Sequence, residues 1–132
     1  MAPELFWMAA TAVMTGLLWV PYILSFIGER GLVGALTRRK GDEVGAADWA
    51  QRAQWAHRNA VENLVVFAPL ALGVALTGAG TALTALAAAA YFWLRLAHFV
   101  VYTAGIPVVR TLLFAGGVVC QLILGIALIT GG

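Results

Sequence analysis

The segment that decides how this chain is organised begins at residue 55 and reads Trp55-Ala56-His57-Arg58-Asn59-Ala60-Val61-Glu62-Asn63. It runs directly into residues 64–76, which are all apolar. Ionisable side chains inside a membrane-spanning helix are costly, and they persist mainly where they face a bundle interior, a wet cavity or a ligand. Arg58 and Glu62 are four residues apart, so they share one helix face, and Asn59 lies beside them. The segment therefore predicts a polar cluster that the other helices of the chain enclose.

The composition is strongly apolar. Of the 132 residues, 62% are hydrophobic and only 11% are charged, whereas soluble domains carry about 25% charged residues. The length suits one domain, residues 1–132, with about four membrane spans of roughly 20 residues each. The net charge of +2 gives no indication of nucleic-acid binding. The chain is therefore predicted to be an integral membrane protein surrounded by lipids, with Cys120 as a buried hydrophobic residue.

Four apolar segments predict an all-α, four-helix membrane bundle. The predicted helices cover residues 4–36, 49–76, 82–103 and 107–130. Pro21 falls inside the first helix and is expected to kink it, and Asp48 is expected to be the N-cap of the second. The short uncharged connection at residues 77–81 predicts that the second and third helices are antiparallel neighbours.

The most strongly charged connection follows the first span. Residues 37–45 include Arg38, Arg39 and Lys40, which are three of the eight basic residues. The positive-inside rule places this loop in the cytoplasm and both termini on the opposite side. We therefore expect a multi-pass protein of a bacterial inner membrane.

A second polar set lies on the third and fourth predicted helices. Arg95, His98 and Tyr102 follow the spacing i, i+3 and i+7, which places them in one stripe, and Arg110 lies one turn into the fourth helix. The predicted topology brings all four to the depth of the polar cluster on the second helix. Guanidinium groups bind carboxylates bidentately, so this cation-rich pocket favours an anionic ligand. No metal site is predicted, because the two histidines lie on different helices without supporting cysteines.

Three motifs resemble those of one known family. In chain order they are His57-Arg58-Asn59-x-x-Glu62, Arg95-x-x-His98-x-x-x-Tyr102 and Pro107-x-x-Arg110-Thr111. The first resembles the helix-two signature of the MAPEG family, the membrane-associated proteins in eicosanoid and glutathione metabolism. The second resembles the helix-three motif of its prostaglandin E synthase branch, and the third resembles the start of its fourth helix. The chain is similar to a short, bacterial-type member of the microsomal glutathione transferase and prostaglandin E synthase branch.

The resemblance implies a homotrimer of four-helix bundles with glutathione bound between adjacent subunits. The glutathione-binding residues that it implies are Arg30, Arg58, Asn59, Glu62, Arg95, His98, Tyr102 and Arg110. It also implies that Arg110 stabilises the glutathione thiolate, with Thr111 next to it as the second catalytic residue. The implied activity is that of a glutathione transferase or peroxidase acting on hydrophobic electrophiles that arrive through the bilayer.

The chain departs from the family pattern at four positions. Trp55 stands where an arginine is usual, and Asn63 stands where some members have a tyrosine. Thr111 and Phe114 stand where the prostaglandin E synthase branch has serine and tyrosine. The glutathione contacts are therefore expected to be kept, whereas the residues that face the second substrate differ.

A second class of function stays open. The same bundle could serve as a non-catalytic membrane scaffold or binding subunit, in which the polar cluster holds the trimer together. Taken alone, the residues Arg58 and Glu62 are also explained as an intrahelical pair that stabilises an interfacial helix. Glutathione retained through purification would favour the enzyme, and a stoichiometric protein partner would favour the scaffold.

Overall fold

In a computed structural model, which describes residues 1–37 and 47–132, the chain forms five α-helices. They are α1 Pro3–Leu17, α2 Val20–Leu36, α3 Asp48–Thr77, α4 Ala82–Thr103 and α5 Pro107–Thr130. Because α1 and α2 are halves of one apolar segment, the described residues contain four segments long and apolar enough to cross a membrane. This part of the chain contains no strand. The predicted all-α membrane fold is confirmed, while the basic loop at 38–40 lies outside the described residues.

The first span is broken where Pro21 enters it. Pro21 is the second residue of α2, and α1 ends at Leu17, four residues earlier. Proline has no N–H to donate to the carbonyl four residues before it, and its ring clashes with that carbonyl. The chain instead makes one tighter turn, in which the Leu18 N–H donates to the Thr15 carbonyl oxygen at 3.3 Å. The expected kink is confirmed, and it divides the span into two helices.

The start of α3 differs from the prediction. Ala47 is the N-cap and makes no side-chain capping bond, while Asp48 is the first helical residue. The predicted N-cap role of Asp48 is therefore wrong, although a carboxylate in the first turn still interacts favourably with the positive end of the helix dipole. The backbone N–H of Ala47 donates to Glu29 Oε1 at 3.1 Å, so α2 helps to fix where α3 begins.

The turn between α3 and α4 is defined by its caps. Gly78 ends α3 with φ 72°, a left-handed conformation in which a Cβ would be strained. Thr81 and Thr84 then form a capping box: the Thr84 N–H donates to Thr81 Oγ1 at 3.2 Å, and the Thr81 N–H donates to Thr84 Oγ1 at 2.7 Å. The two helices pack against each other, as the short connection predicts.

Aromatic and small side chains fill the centre of the bundle. The Phe67 ring on α3 stacks on the Tyr91 ring on α4, with centroids 3.9 Å apart. Ala87 and Ala88 on α4 belong to the same buried cluster as Cys120 on α5. Small residues allow helices to approach closely in membranes, and α4 packs most extensively against α5. This packing holds the first turns of α5 beside the last turns of α4.

Candidate functional site

Arg95 on α4 is almost fully buried, with 2% of its surface exposed. Its Nη2 donates a hydrogen bond to Oδ1 of Asn59 on α3. Its Nε is also buried, and no described residue accepts a hydrogen bond from it. A guanidinium does not readily lose its proton, and a buried charge is costly unless hydrogen bonds and an opposite charge compensate for it. Arg95 therefore carries a buried positive charge that no carboxylate of the described residues balances.

Asn59 is held in place by the next turn of its own helix. Asn63 Nδ2 donates to the Asn59 carbonyl oxygen at 2.9 Å and lies 3.4 Å from Asn59 Oδ1. Gln121 on α5 donates from Nε2 to the Asn63 carbonyl oxygen at 3.3 Å. Asn63, a departure from the family pattern, thus supports the contact between Asn59 and Arg95. Gln121 was not predicted to take part in the site, although an amide within an apolar span is itself a signal of a buried hydrogen bond.

Arg58 and Glu62 form the predicted i,i+4 ion pair, with Arg58 Nε and Glu62 Oε1 3.3 Å apart. Their side chains are 68% and 62% exposed. The guanidinium carbon of Arg58 lies 5.7 Å from the centroid of the Trp55 ring. The prediction that the helices of one chain enclose the whole cluster is therefore wrong. Successive helical positions point about 100° apart, so Asn59 faces α4 while Arg58 and Glu62 face outward.

A cleft of ≈ 370 Å³ joins the exposed and buried parts of the cluster. Its lining residues are Trp55, Arg58, Asn59, Glu62 and Tyr102. Its volume falls within the range of about 300–1,000 Å³ that is typical of small-molecule pockets. The walls come from α3 and α4 and carry both a guanidinium and a carboxylate, so the cleft can bind a ligand with charges of both signs.

Arg110 brings α5 to the edge of this cleft. Its guanidinium carbon lies 4.6 Å from the centroid of the Tyr102 ring, which is a cation–π distance. His98 is buried behind Tyr102, with ring centroids 5.6 Å apart, and its ring lies 6.4 Å from that of Phe114 on α5. Among the described residues, His98 Nδ1 has no hydrogen-bond partner. The predicted stripe on α4 therefore contacts α5 as well as α3.

Five residues that the sequence assigns to the site do not line the cleft. Arg95, His98 and Arg110 lie next to it and contact its lining residues, as described above, whereas Arg30 and Thr111 lie elsewhere. Arg30 is exposed on α2, and its guanidinium carbon lies 5.9 Å from the centroid of the Phe26 ring. Thr111 is exposed on α5, and its hydroxyl donates to the Pro107 carbonyl oxygen of its own helix at 3.2 Å. The predicted roles of Arg30 in glutathione binding and of Thr111 in catalysis thus rest on the family resemblance.

His57 has a role that the sequence did not assign. Its Nδ1 lies 2.8 Å from the Tyr22 hydroxyl oxygen, so it links α3 to α2. A histidine within the opening motif therefore joins two helices and does not line the cleft. The described residues contain no group of three or more His, Cys, Asp or Glu side chains that could hold a metal ion.

One family of known proteins matches nearly the whole chain. The family model described as MAPEG family matches residues 5–130. The chain belongs to the MAPEG family. No curated protein matches it, and no solved structure matches it either. MAPEG membership, together with four membrane-spanning segments among the described residues, fits a multi-pass membrane protein of glutathione and eicosanoid metabolism.

The cleft of this MAPEG protein carries groups that suit glutathione, which has two carboxylates, one ammonium group and a thiol. Within the part of the chain that the structure describes, Arg95 has no carboxylate partner and Arg110 has none either. Arg58 and Arg95 could bind the ligand carboxylates through charge-assisted hydrogen bonds. The carboxylate of Glu62 could accept the ligand ammonium. The cleft is thus lined by one guanidinium and one carboxylate, with Arg95 and Arg110 next to it.

Proposed function

We propose that this protein binds glutathione in the α3–α4 cleft and is a glutathione transferase or peroxidase. The second substrate would be a hydrophobic electrophile that arrives through the bilayer. One observation carries the proposal: the buried Arg95 guanidinium bonds to Asn59 beside the cleft and keeps an unsatisfied Nε. A buried, unbalanced cation at a cleft is typical of an anion-binding site, because an uncompensated charge would otherwise destabilise the bundle.

The roles proposed for the side chains combine the family resemblance with their positions around the cleft. Arg58 and Arg95 would bind the carboxylates of glutathione, and Glu62 would bind its ammonium. Bound glutathione supplies the thiol that attacks the electrophile. Arg110, stacked on Tyr102 at the edge of the cleft, would then lie near the sulfur. A nearby guanidinium lowers the pKa of a thiol from its usual value of about 8.5 and raises the fraction of the nucleophilic thiolate.

A second copy of the chain would complete the site. Arg58 and Glu62 are mostly exposed in one chain, yet ionisable residues of a membrane protein are expected to face other protein or water and not lipid. A neighbouring subunit packed on this face of α3 would cover them and close the cleft. The geometry is therefore compatible with the homotrimer that the family resemblance implies.

The scaffold alternative has one observation in its favour. Arg58 and Glu62 already neutralise each other through their ion pair, so they could form a polar contact surface without any ligand. In that case Arg95 would be held only by Asn59. The two functions differ in whether the purified protein binds glutathione at all.

The decisive experiment is a glutathione titration of the detergent-purified protein, followed through its melting temperature. Binding to the folded state alone should stabilise it by about 2.7 kcal/mol when the ligand is at 100 times its Kd. Glutathione with both carboxylates amidated is the control, and it should give a much smaller shift because Arg58 and Arg95 lose their partners. An equal shift with both ligands, or none with glutathione, would contradict the proposal.

A further inference from the structure

The end of α4 contains one backbone carbonyl that the helix itself cannot satisfy. The last carbonyls of a helix have no intrahelical partner unless the following turn supplies one. Three are satisfied by backbone bonds: Ala104 N to Val100 O at 3.0 Å, Ile106 N to Val101 O at 3.1 Å and Gly105 N to Tyr102 O at 3.0 Å. The next carbonyl, of Thr103, accepts a hydrogen bond from Arg52 Nε at 2.9 Å. Arg52 lies on α3, so this cap comes from another helix.

The same guanidinium packs against the turn that leads from α4 to α5. Gly105 has φ 79°, a conformation that favours glycine. A Cβ added at Gly105 would lie 3.2 Å from Arg52 Nε and 3.3 Å from its Cζ. Arg52 therefore contacts the turn both through the Thr103 carbonyl and through the face of Gly105. A positive charge at the C-terminus of α4 is also favourable for the helix dipole.

This turn lies between two residues of the candidate site. Tyr102 immediately precedes the capped Thr103, and Arg110 lies in the first turn of α5. The guanidinium of Arg110 lies on the Tyr102 ring, so its position depends on how α5 leaves the turn. A shift of about 1 Å in a catalytic group can change turnover by roughly 100-fold.

We propose that Arg52 is a positioning residue for Arg110: by capping α4 from α3, it holds the α4–α5 turn so that Arg110 stays at the cleft. The inference rests on the proposed function, since the effect of Arg110 is measured on bound glutathione. Arg52 itself does not line the cleft. A purely structural cap would affect stability alone, and this difference makes the proposal testable.

The first test compares Arg52→Gln and Arg52→Lys with Arg39→Gln, which removes the same charge from the basic loop. Arg52→Gln should keep the glutathione Kd and the KM within about threefold and lower kcat by roughly 10-fold to 100-fold. It should also raise the pKa of the bound thiol, followed by the ultraviolet absorbance of the thiolate. Arg52→Lys should recover part of kcat, because an ammonium can still donate to the Thr103 carbonyl. Arg39→Gln should match the wild type.

A second variant disturbs the same contact from the other side. Gly105→Ala places a methyl group against the Arg52 guanidinium and strains the backbone, so it should reproduce the loss in kcat and the raised thiol pKa. This variant keeps the test decisive if Arg52→Gln fails to fold. A lowered melting temperature with unchanged kcat and thiol pKa in the folded variant would overturn the proposal and leave Arg52 as a structural cap.

A measurement without glutathione tests the positioning role of Arg52 independently of the proposed glutathione-dependent function. Spin labels at the exposed positions Val61 on α3 and Val108 on α5, in a Cys120→Ala background, report the distance between α3 and the first turn of α5. Arg52→Gln should broaden that distance distribution, and an unchanged distribution would refute the positioning role. If the wild type bound no glutathione, the proposed function would fail while the label distances still tested the turn.

Discussion

Arg95 is the side chain whose surroundings most constrain what the site can do. It is 2% exposed, and it is held by Asn59, which accepts from its Nη2. Asn59 is neutral, so it satisfies a hydrogen bond without balancing the charge. Arg95 is thus a buried cation with one partnered nitrogen, one unpartnered Nε and no balancing carboxylate among the described residues, and such a charge favours a nearby anion.

Arg110 and Arg58 are expected to have separable effects on glutathione. Arg110→Ala should leave the glutathione Kd nearly unchanged, because Arg58 and Arg95 carry the carboxylate contacts. It should raise the pKa of the bound thiol by one to two pH units, which corresponds to about 1.4–2.7 kcal/mol, and lower conjugation accordingly. Arg58→Ala should weaken binding and leave the thiol pKa unchanged. Calorimetry and thiolate absorbance measure the two effects; intact thiolate and turnover in Arg110→Ala would refute its catalytic role.

For single residues, the sequence predicts pairs on one helix better than it predicts contacts between helices. The spacing of Arg58 and Glu62 predicts that they share a helix face, and the structure shows the intrahelical ion pair that was one of the two alternatives for Glu62. The spacing could not show that the pair faces outward. Helical periodicity indicates which residues share a face, but it does not indicate which helix packs on that face. The Arg52 cap was missed for a related reason, since its acceptor is a backbone carbonyl that no side-chain motif marks.

The helix ends contain a second buried charge, far from the cleft. Glu4, in the first turn of α1, is 2% exposed, and its Oε1 accepts a hydrogen bond from Thr84 Oγ1 at 2.5 Å. Thr84 is also part of the capping box that starts α4. One carboxylate thus lies at the N-terminal turns of two helices, where a negative charge is favourable.

This contact should stabilise the bundle measurably. Glu4→Ala should lower the free energy of unfolding by about 1–3 kcal/mol, because the Thr84 hydroxyl loses a charged acceptor in a buried place. Glu4→Gln should cost less, since its amide oxygen can still accept. Thr130→Ala is the control at an exposed hydroxyl that bonds only its own helix. Melting curves in one detergent compare the three, and equal stability of Glu4→Ala and Thr130→Ala would contradict the prediction.

Among the elements, the break at Pro21 was predicted correctly, whereas the N-cap of α3 was not. Proline removes an N–H wherever it occurs, so Pro21 predicts the interruption between α1 and α2 from chemistry alone. The start of α3 is different, because Ala47 is fixed by a hydrogen bond from its N–H to Glu29, eighteen residues earlier. Such a tertiary contact overrides the local preference of Asp48 for the N-cap position. The buried Glu4 was missed because its partner Thr84 is eighty residues away.

For the whole molecule, we expect a homotrimer. The outward-facing Arg58 and Glu62 would otherwise meet lipid, and burial against a neighbour lowers that cost. Native mass spectrometry in mild detergent should give a mass of three chains. A spectrum that shows monomer alone would count against the trimer and against a cleft shared between subunits.

We also expect the loop that contains Lys40 to face the cytoplasm, because Arg38, Arg39 and Lys40 are three of the eight basic residues of the chain. Lys40 lies outside the described residues, so this stays a sequence prediction. In a Cys120→Ala background, Lys40→Cys should react with an impermeant thiol reagent only from the cytoplasmic side. Thr130→Cys, at the exposed end of α5, should react only from the other side. The reverse pattern would show that the orientation is wrong.

The capped turn between α3 and α4 has a consequence for how the chain is made. Residues 78–81 carry no charge, and the N–H groups of Ala79 and Thr81 donate to Val74 O and Thr84 Oγ1. In the orientation predicted from the basic loop, this turn is the one carried across the bilayer, and that step requires no ion to be dehydrated. During synthesis, α3 and α4 can enter the membrane together as a helical hairpin while the ribosome is still adding α5.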